Sequence, residues 1–310
     1  MASDRGMASD GQVPGQPGPG DQPGRGDEDR LPVTKTYQLY LGGAFHRSES
    51  GRVYPVTDYR GTFLANAAQA SRKDARDAVT AARSGFPEWS AAAPRARGQV
   101  LYRIAELLEG RREQFVSEVI TAEGWPVRRA AALLDVTIDR WVWYAGWTDK
   151  IATVLGSGNP VGVGSRCLSE PEPVGVVAVL APQSSALLGL VSVLAPVIAA
   201  GNTTVVVASQ HRPLPAVTLA EVLATSDLPD GVVNILTGRT AELAPWLAAH
   251  AEVEVLDLCG APPSISTDLE RTAAGTVKQV LPASATEPDW IRAPDIRRLR
   301  AFTELKTVWL

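Results

Sequence analysis

Two cysteines, three histidines and one serine pair set the range of covalent and metal chemistry open to this chain. A cysteine becomes a nucleophile only as its thiolate, which needs a nearby cation, helix N-terminus or base. Cys167 falls in a loop-and-strand segment and Cys259 follows an apolar strand, and both read as structural. His46, His211 and His250 stand alone, with no spacing that gathers ligands, so no metal centre is expected. Ser184-Ser185 have no legible base, and no Ser-His-Asp arrangement emerges. The run Gly156-Ser157-Gly158-Asn159-Pro160 lacks G-x-G-x-x-G spacing and leads into no helix. It reads as the turn of a protruding hairpin, not as a phosphate loop. No catalytic residue is expected from these side chains.

The elements that would position any chemistry centre on residues 173–210. An apolar strand over 174–180 ends at Ala181-Pro182. An almost wholly apolar helix over 186–200 stops at Gly201-Asn202, and a β-branched strand follows over 203–207. Strands that are apolar throughout belong to parallel sheets covered on both faces. The unit is therefore βαβ, and ligands of such sheets sit beyond the carboxyl ends of the strands. That places a site at residues 182–185 and 207–210.

The remaining chain supports a doubly wound α/β fold. A hairpin is expected over 37–45, turning at Gly42-Gly43, and a helix from 70 to 84 closed by Pro87-Glu88-Trp89. Helical apolar spacing runs from 96 to 120, Gly124 breaks it, and Pro126 starts a helix that carries the aromatic cluster of 141–147. That cluster reads as a buried helix–helix seam. Helix 214–225, strand 231–236 ending at Thr237-Gly238, helix 241–249 and strand 253–258 complete the alternation. Residues 1–34 are low-complexity and are expected to be disordered; the tripeptide Arg25-Gly26-Asp27 within them reads as chance.

Composition narrows the partners. With 45% hydrophobic and 21% charged residues, a sizeable core is available, and a net charge of −4 argues against nucleic acid or an anionic membrane. Two cysteines in 310 residues suggest a reducing compartment. The apolar run 186–200 is short for a membrane span, and the amino terminus has no signal-peptide core. A cytoplasmic location is expected.

These elements resemble the NAD(P)-dependent aldehyde dehydrogenase superfamily. The likeness is carried by the strand ending in Pro182, the helix ending in Ala200-Gly201-Asn202, the strand ending in Thr237-Gly238, the Phe86–Trp89 pattern and the Tyr144-Ala145-Gly146-Trp147 stretch. It implies a nucleotide-binding domain over 35–148 and 173–265 and a β oligomerisation arm over 149–172 and 299–310. Residues 302–310 resemble the family's terminal arm strand. Past Gly260 the likeness lapses, and residues 266–298 stand as a short segment in place of the catalytic domain that holds the nucleophilic cysteine.

The departures fall on the chemistry. The resemblance puts the oxyanion donor at Ser184, where the family has asparagine; loss of one such donor costs about 10²–10³ in rate. Gln279 is the nearest counterpart of the catalytic base, and loss of a nucleophile costs on the order of 10⁶. Val207 and Gln210 replace the lysine and acid of the ribose site, and Ala261-Pro262-Pro263 replaces a helix start that would meet the pyrophosphate. Gly238 and Gly260 remain as cofactor-site positions. The implied function is a non-catalytic subunit that pairs with, stabilises or regulates a full-length aldehyde dehydrogenase, or pairs with itself, through Leu305 and Val308. An NAD(P)-binding oxidoreductase with a partner-completed site is the alternative, and a small-ligand module at Gln183, Ser184 and Ser185 the third.

Overall fold

The computed structural model describes residues 34–162 and 165–310. Residues 1–33, which hold the low-complexity run and its Arg-Gly-Asp tripeptide, lie outside the described residues. Strands β1 (Thr36–Tyr37), β2 (Leu39–Leu41) and β3 (Ala44–His46) come first. β2 and β3 form the expected hairpin, in which Gly42 and Gly43 both take positive φ, +56° and +81°. Two such residues make the turn whose twist matches antiparallel strands. β4 (Val53–Thr57) and β5 (Phe63–Ala68) pair antiparallel, and β1 joins β5 in parallel, a small sheet with no clear apolar alternation in the sequence.

Four helices follow: α1 (Arg72–Ala91), α2 (Pro94–Gly110), α3 (Arg112–Glu123) and α4 (Val127–Ala145). Ser71 caps α1, its hydroxyl accepting from the N–H groups of Lys73 and Asp74 while the Asp74 carboxylate accepts the Ser71 N–H. α1 does not stop before Pro87 but runs through it. The lost backbone bond is offset by Trp89, which is 2% exposed and donates its indole N–H to Ile198 O at 2.9 Å. The apolar run of 96–120 breaks at Arg111 (φ −112°), just after Gly110. Arg111 reaches Glu221, which anchors the break. The aromatic cluster of α4 is a packed seam as expected, with Trp141 and Tyr144 buried.

Short α5 (Ile151–Leu155) leads to β6 (Ser157–Asn159) and β7 (Cys167–Pro173). The glycine-rich run is strand, not turn, for Ser157 and Asn159 pair with Ser169 and Cys167. Gly175, at φ +132°, then separates β7 from β8 (Val176–Leu180), so the expected strand of 174–180 starts two residues late. α6 (Leu188–Ala199), β9 (Thr203–Val207), α7 (Leu214–Leu223), β10 (Val233–Leu236), α8 (Thr240–Ala249), β11 (Val255–Asp257), α9 (Pro263–Ala274), β12 (Gln279–Leu281), α10 (Arg297–Ala301) and β13 (Thr303–Trp309) complete the chain.

The main sheet has the order β12-β11-β8-β9-β10-β2-β3, parallel from β12 to β10, with the hairpin antiparallel at its edge. One apolar cluster packs α2, α3, α4, α6 and α7 on one face, and a second packs α1, α8 and α9 on the other. This is the doubly wound α/β architecture. All twelve residues of α6 are buried, and Ser192 is reconciled with that by donating to Leu188 O. No helix among the described residues is long and apolar enough to cross a membrane. β13, β7 and β6 form a separate three-stranded sheet. Buried Asn202 ties it to the core, donating to Phe302 O and accepting the Gly175 N–H.

Candidate functional site

The order of strands reverses between β8 and β11, so the crevice to inspect lies beyond their carboxyl ends. At that place the chain fills its own space. The Gln183 amide donates to Ala181 O and accepts the Gln210 N–H, at 2.9 and 3.0 Å, while the Ser209 hydroxyl donates to Gln183 O at 3.0 Å. One side chain thus sews the loop after β8 to the loop after β9. Ser184 is turned toward Glu287, whose carboxylate accepts both its N–H and its hydroxyl. Arg212 donates to Ser184 O. The next donor, the Ala186 N–H, meets Glu123 Oε1 at 2.7 Å, and the Trp125 indole N–H meets Glu123 Oε2 at 2.9 Å. Two carboxylates from this chain therefore hold the N–H groups ahead of α6.

The sequence-predicted positions divide. Ser184 and Gln210 come together around Gln183, and Gly260 lies against the same loop, its N–H donating to Leu180 O at 2.8 Å. A Cβ on Gly260 would stand 1.8 Å from Ala181 O. Val207 is wholly buried in the apolar cluster under α1 and α8. Gly238, two residues past β10, takes φ +147° and packs on the backbone of Ala70. Close packing accounts for both glycines without a ligand. Gln279 lies on the edge strand β12 with its side chain exposed. α9 begins with Pro262 as its cap and Pro263 in its first turn, and no side chain caps it.

Residues 45–285 match the aldehyde dehydrogenase family. The chain belongs to that family. The match continues past Gly260, where the likeness legible in the sequence lapsed, because α9 and β12 extend the same parallel sheet. Family relatives include the cytosolic 10-formyltetrahydrofolate dehydrogenase of Xenopus tropicalis, 31% identical over 258 residues that make up 81% of this chain and 28% of that protein. The mitochondrial aldehyde dehydrogenase family 2 member B4 of Arabidopsis thaliana is 32% identical, over 77% of this chain and 44% of its own length. The chain thus spans less than half the length of these relatives. Among solved structures, HpcC from Thermus thermophilus superposes with a TM-score of 0.75 at 28% identity, covering 79% of this chain and 47% of HpcC. The NAD+ complex of the Bacillus cereus aldehyde dehydrogenase gives 0.74 at 24% identity, covering 79% and 50%, and shares the fold.

The two thiols of this family member have different surroundings. Burial, aided by Asp257, pushes the Cys259 thiol up to about 12. Cys167 is buried in the arm and accepts the Asn159 amide N–H at 3.3 Å. The histidines sit on separate elements, and among the described residues no three metal-ligating side chains gather. Glu123 and Glu287 are the carboxylates at this turn to which the sequence did not point. Neither lies in a motif that carries the family likeness, and the turn they grip is distant in sequence from both.

Burial raises the Glu123 pKa above its ordinary 4.5; the bonds from Ala186 and Trp125 oppose this, as does Arg212, and Glu287 adds to it. A carboxyl whose folded pKa is raised stabilises the fold below its unfolded value and loses that contribution as pH rises through the folded one. The Glu123 contribution to unfolding free energy should therefore fall as pH climbs from about 4.5, while His250, which burial holds below its ordinary 6.5, contributes in the opposite sense. Glu118 and Glu254 are raised in the same direction by burial and share the slope. In Glu123→Gln the slope should be shallower than in the wild type, though not flat. Urea unfolding followed at several pH values between about 4.5 and 7 checks this, and identical slopes in the two proteins would refute the assignment.

Proposed function

We propose that this chain is a non-catalytic aldehyde dehydrogenase family subunit that associates, with a full-length family member or with itself, through the outer edge of β13. The observation that carries this reading is the arm. β13 pairs with β7 without a break from Thr303 to Trp309, and its other edge has no partner among the described residues. Leu305 and Trp309 project from one face and Val308 from the other, 58%, 69% and 37% exposed. β13 also carries Glu304 and Lys306, yet its long unpaired edge with these exposed apolar side chains remains a template for strand addition.

The crevice supports the non-catalytic half of the proposal. A dinucleotide needs N–H donors for its pyrophosphate, yet prolines head α9, the helix start where the family likeness puts that group, and Gly260 leaves no gap beside Ala181. At the oxyanion position the Ser184 and Ala186 N–H groups are held by Glu287 and Glu123, and these carboxylates disfavour a developing negative charge there. The residues present do not fit NAD(P). The second reading, an NAD(P)-binding oxidoreductase completed by a partner, draws on family membership and on the NAD+ complex of the Bacillus cereus neighbour. It requires both acids to leave the turn. A thermal shift with NAD+ separates the two readings.

The test of association is native mass spectrometry of this chain, alone and co-expressed with a full-length aldehyde dehydrogenase of the same genome. A defined complex is expected, lost in the Leu305→Lys/Val308→Lys variant. A monomer under both conditions, or an unchanged complex in the variant, overturns the proposal.

A further inference from the structure

The hydrogen-bonding phase of β13 can be read from its last residue. Leu310 and Arg166 exchange both backbone bonds, so by alternation Val308, Lys306 and Glu304 also turn their N–H and C=O groups toward β7. Pro173 and Pro171 agree with this phase, for they lie opposite Thr303 and Leu305, where β7 need not donate. The backbone groups of Thr303, Leu305, Thr307 and Trp309 therefore point outward, and no strand meets them among the described residues. Any strand added at this edge must bond to those four.

The charges on β13 select the occupant. Glu304 stands opposite another acid, Glu172, and has no cation within ion-pair distance among the described residues. Lys306 donates to Glu172 at 3.1 Å, yet its side chain stays 60% exposed and has donors to spare. A two-fold axis pairs a strand antiparallel with its own copy. Centred on Leu305, that pairing sets Glu304 of each copy opposite Lys306 of the other, Leu305 on Leu305, and Thr303 on Thr307. Centred on Glu304 or Lys306, it would oppose like charges. Centred on Thr307, it would set Glu304 and Lys306 against the apolar Leu310 and Val308. The strand is self-complementary about Leu305.

We propose that the partner of this edge is a second copy of the chain, joined antiparallel about Leu305 with two Glu304–Lys306 ion pairs across the seam; this rests on association through β13. Sedimentation equilibrium of the full chain should show a dimer. Glu304→Lys and Lys306→Glu each turn two attractive pairs into repulsive ones and should weaken it at least about tenfold. An equimolar mixture of these two variants should form a mixed dimer near wild-type affinity, because each lysine of one chain then faces a glutamate of the other. In the wild-type dimer the Leu305 and Thr307 amides should be protected from hydrogen exchange, while that of Trp309, beyond the overlap, stays open. This readout needs no variant to fold. A wild-type monomer that still joins a full-length aldehyde dehydrogenase overturns the self-pairing and leaves association through the edge standing. The same holds if Trp309 is protected, or if Glu304→Lys dimerises like wild type while Leu305→Lys/Val308→Lys does not. A dimer that survives every one of these variants overturns both.

Discussion

Asp257→Ala is expected to destabilise the protein by about 3–5 kcal/mol, the usual cost of removing one partner from a buried ion pair. Asp257 ends β11 at 1% exposure, one oxygen on the Arg298 guanidinium and the other accepting the Cys259 N–H at 3.0 Å. Burial pulls the Arg298 pKa down, but Asp257, with smaller help from Cys259 and Tyr144, holds it above the ordinary arginine value. Without Asp257 the guanidinium would remain in a poorly solvated place with nothing to neutralise it. α10, which carries Arg298, would lose its tie to the main sheet. The double variant Asp257→Ala/Arg298→Met should recover more than half of the loss, because it removes the stranded charge together with its partner. Urea unfolding followed by circular dichroism measures both. A loss below about 1 kcal/mol in the single variant would show that the pair is not buried as described.

Gly260→Ala should cost about 3 kcal/mol or more, whether or not any cofactor is offered. The added methyl would stand 1.8 Å from Ala181 O and 2.4 Å from its carbonyl carbon, and backbone cannot rotate away as a flexible side chain can. Relief requires β8 and the loop after β11 to separate, which breaks the Gly260 N–H bond to Leu180 O. Thermal unfolding of the free protein reads the effect directly. If stability were unchanged and only ligand binding fell, the glycine would belong to a cofactor site and not to packing.

The two glycines show how far the sequence could be read. Gly238 and Gly260 were legible as special backbone positions because each follows an apolar strand, but a glycine at a strand end does not say what approaches it. The βαβ unit was legible because β8, α6 and β9 are apolar on every face, a pattern that burial on both sides of a sheet demands. The end of α1 was not, since the proline signal was outweighed by a tertiary contact, Trp89 on Ile198 O. Val207 falls at the strand end as read, but a strand that is apolar throughout gives no alternation from which to tell which face its side chain takes. Glu123 and Glu287 lay beyond sequence reasoning altogether. An acid in a helix end and an acid before a proline look like solvated surface until the fold brings both to Ser184 and Ala186.

The amino-terminal hairpin has a consequence for the order in which this chain can fold. β2 completes the main sheet only by pairing with β10, a contact fastened by the Gly42 N–H on the Asn234 side chain. During synthesis at about 5–20 residues per second, β2 must wait roughly 10–40 s for β10 to be made. Through that interval the hairpin has an open hydrogen-bonding edge and no sheet to join, the arrangement most prone to capture by another nascent chain. Slowing translation ahead of β10 should therefore lower the soluble yield, and a chaperone that holds hairpin edges should restore it.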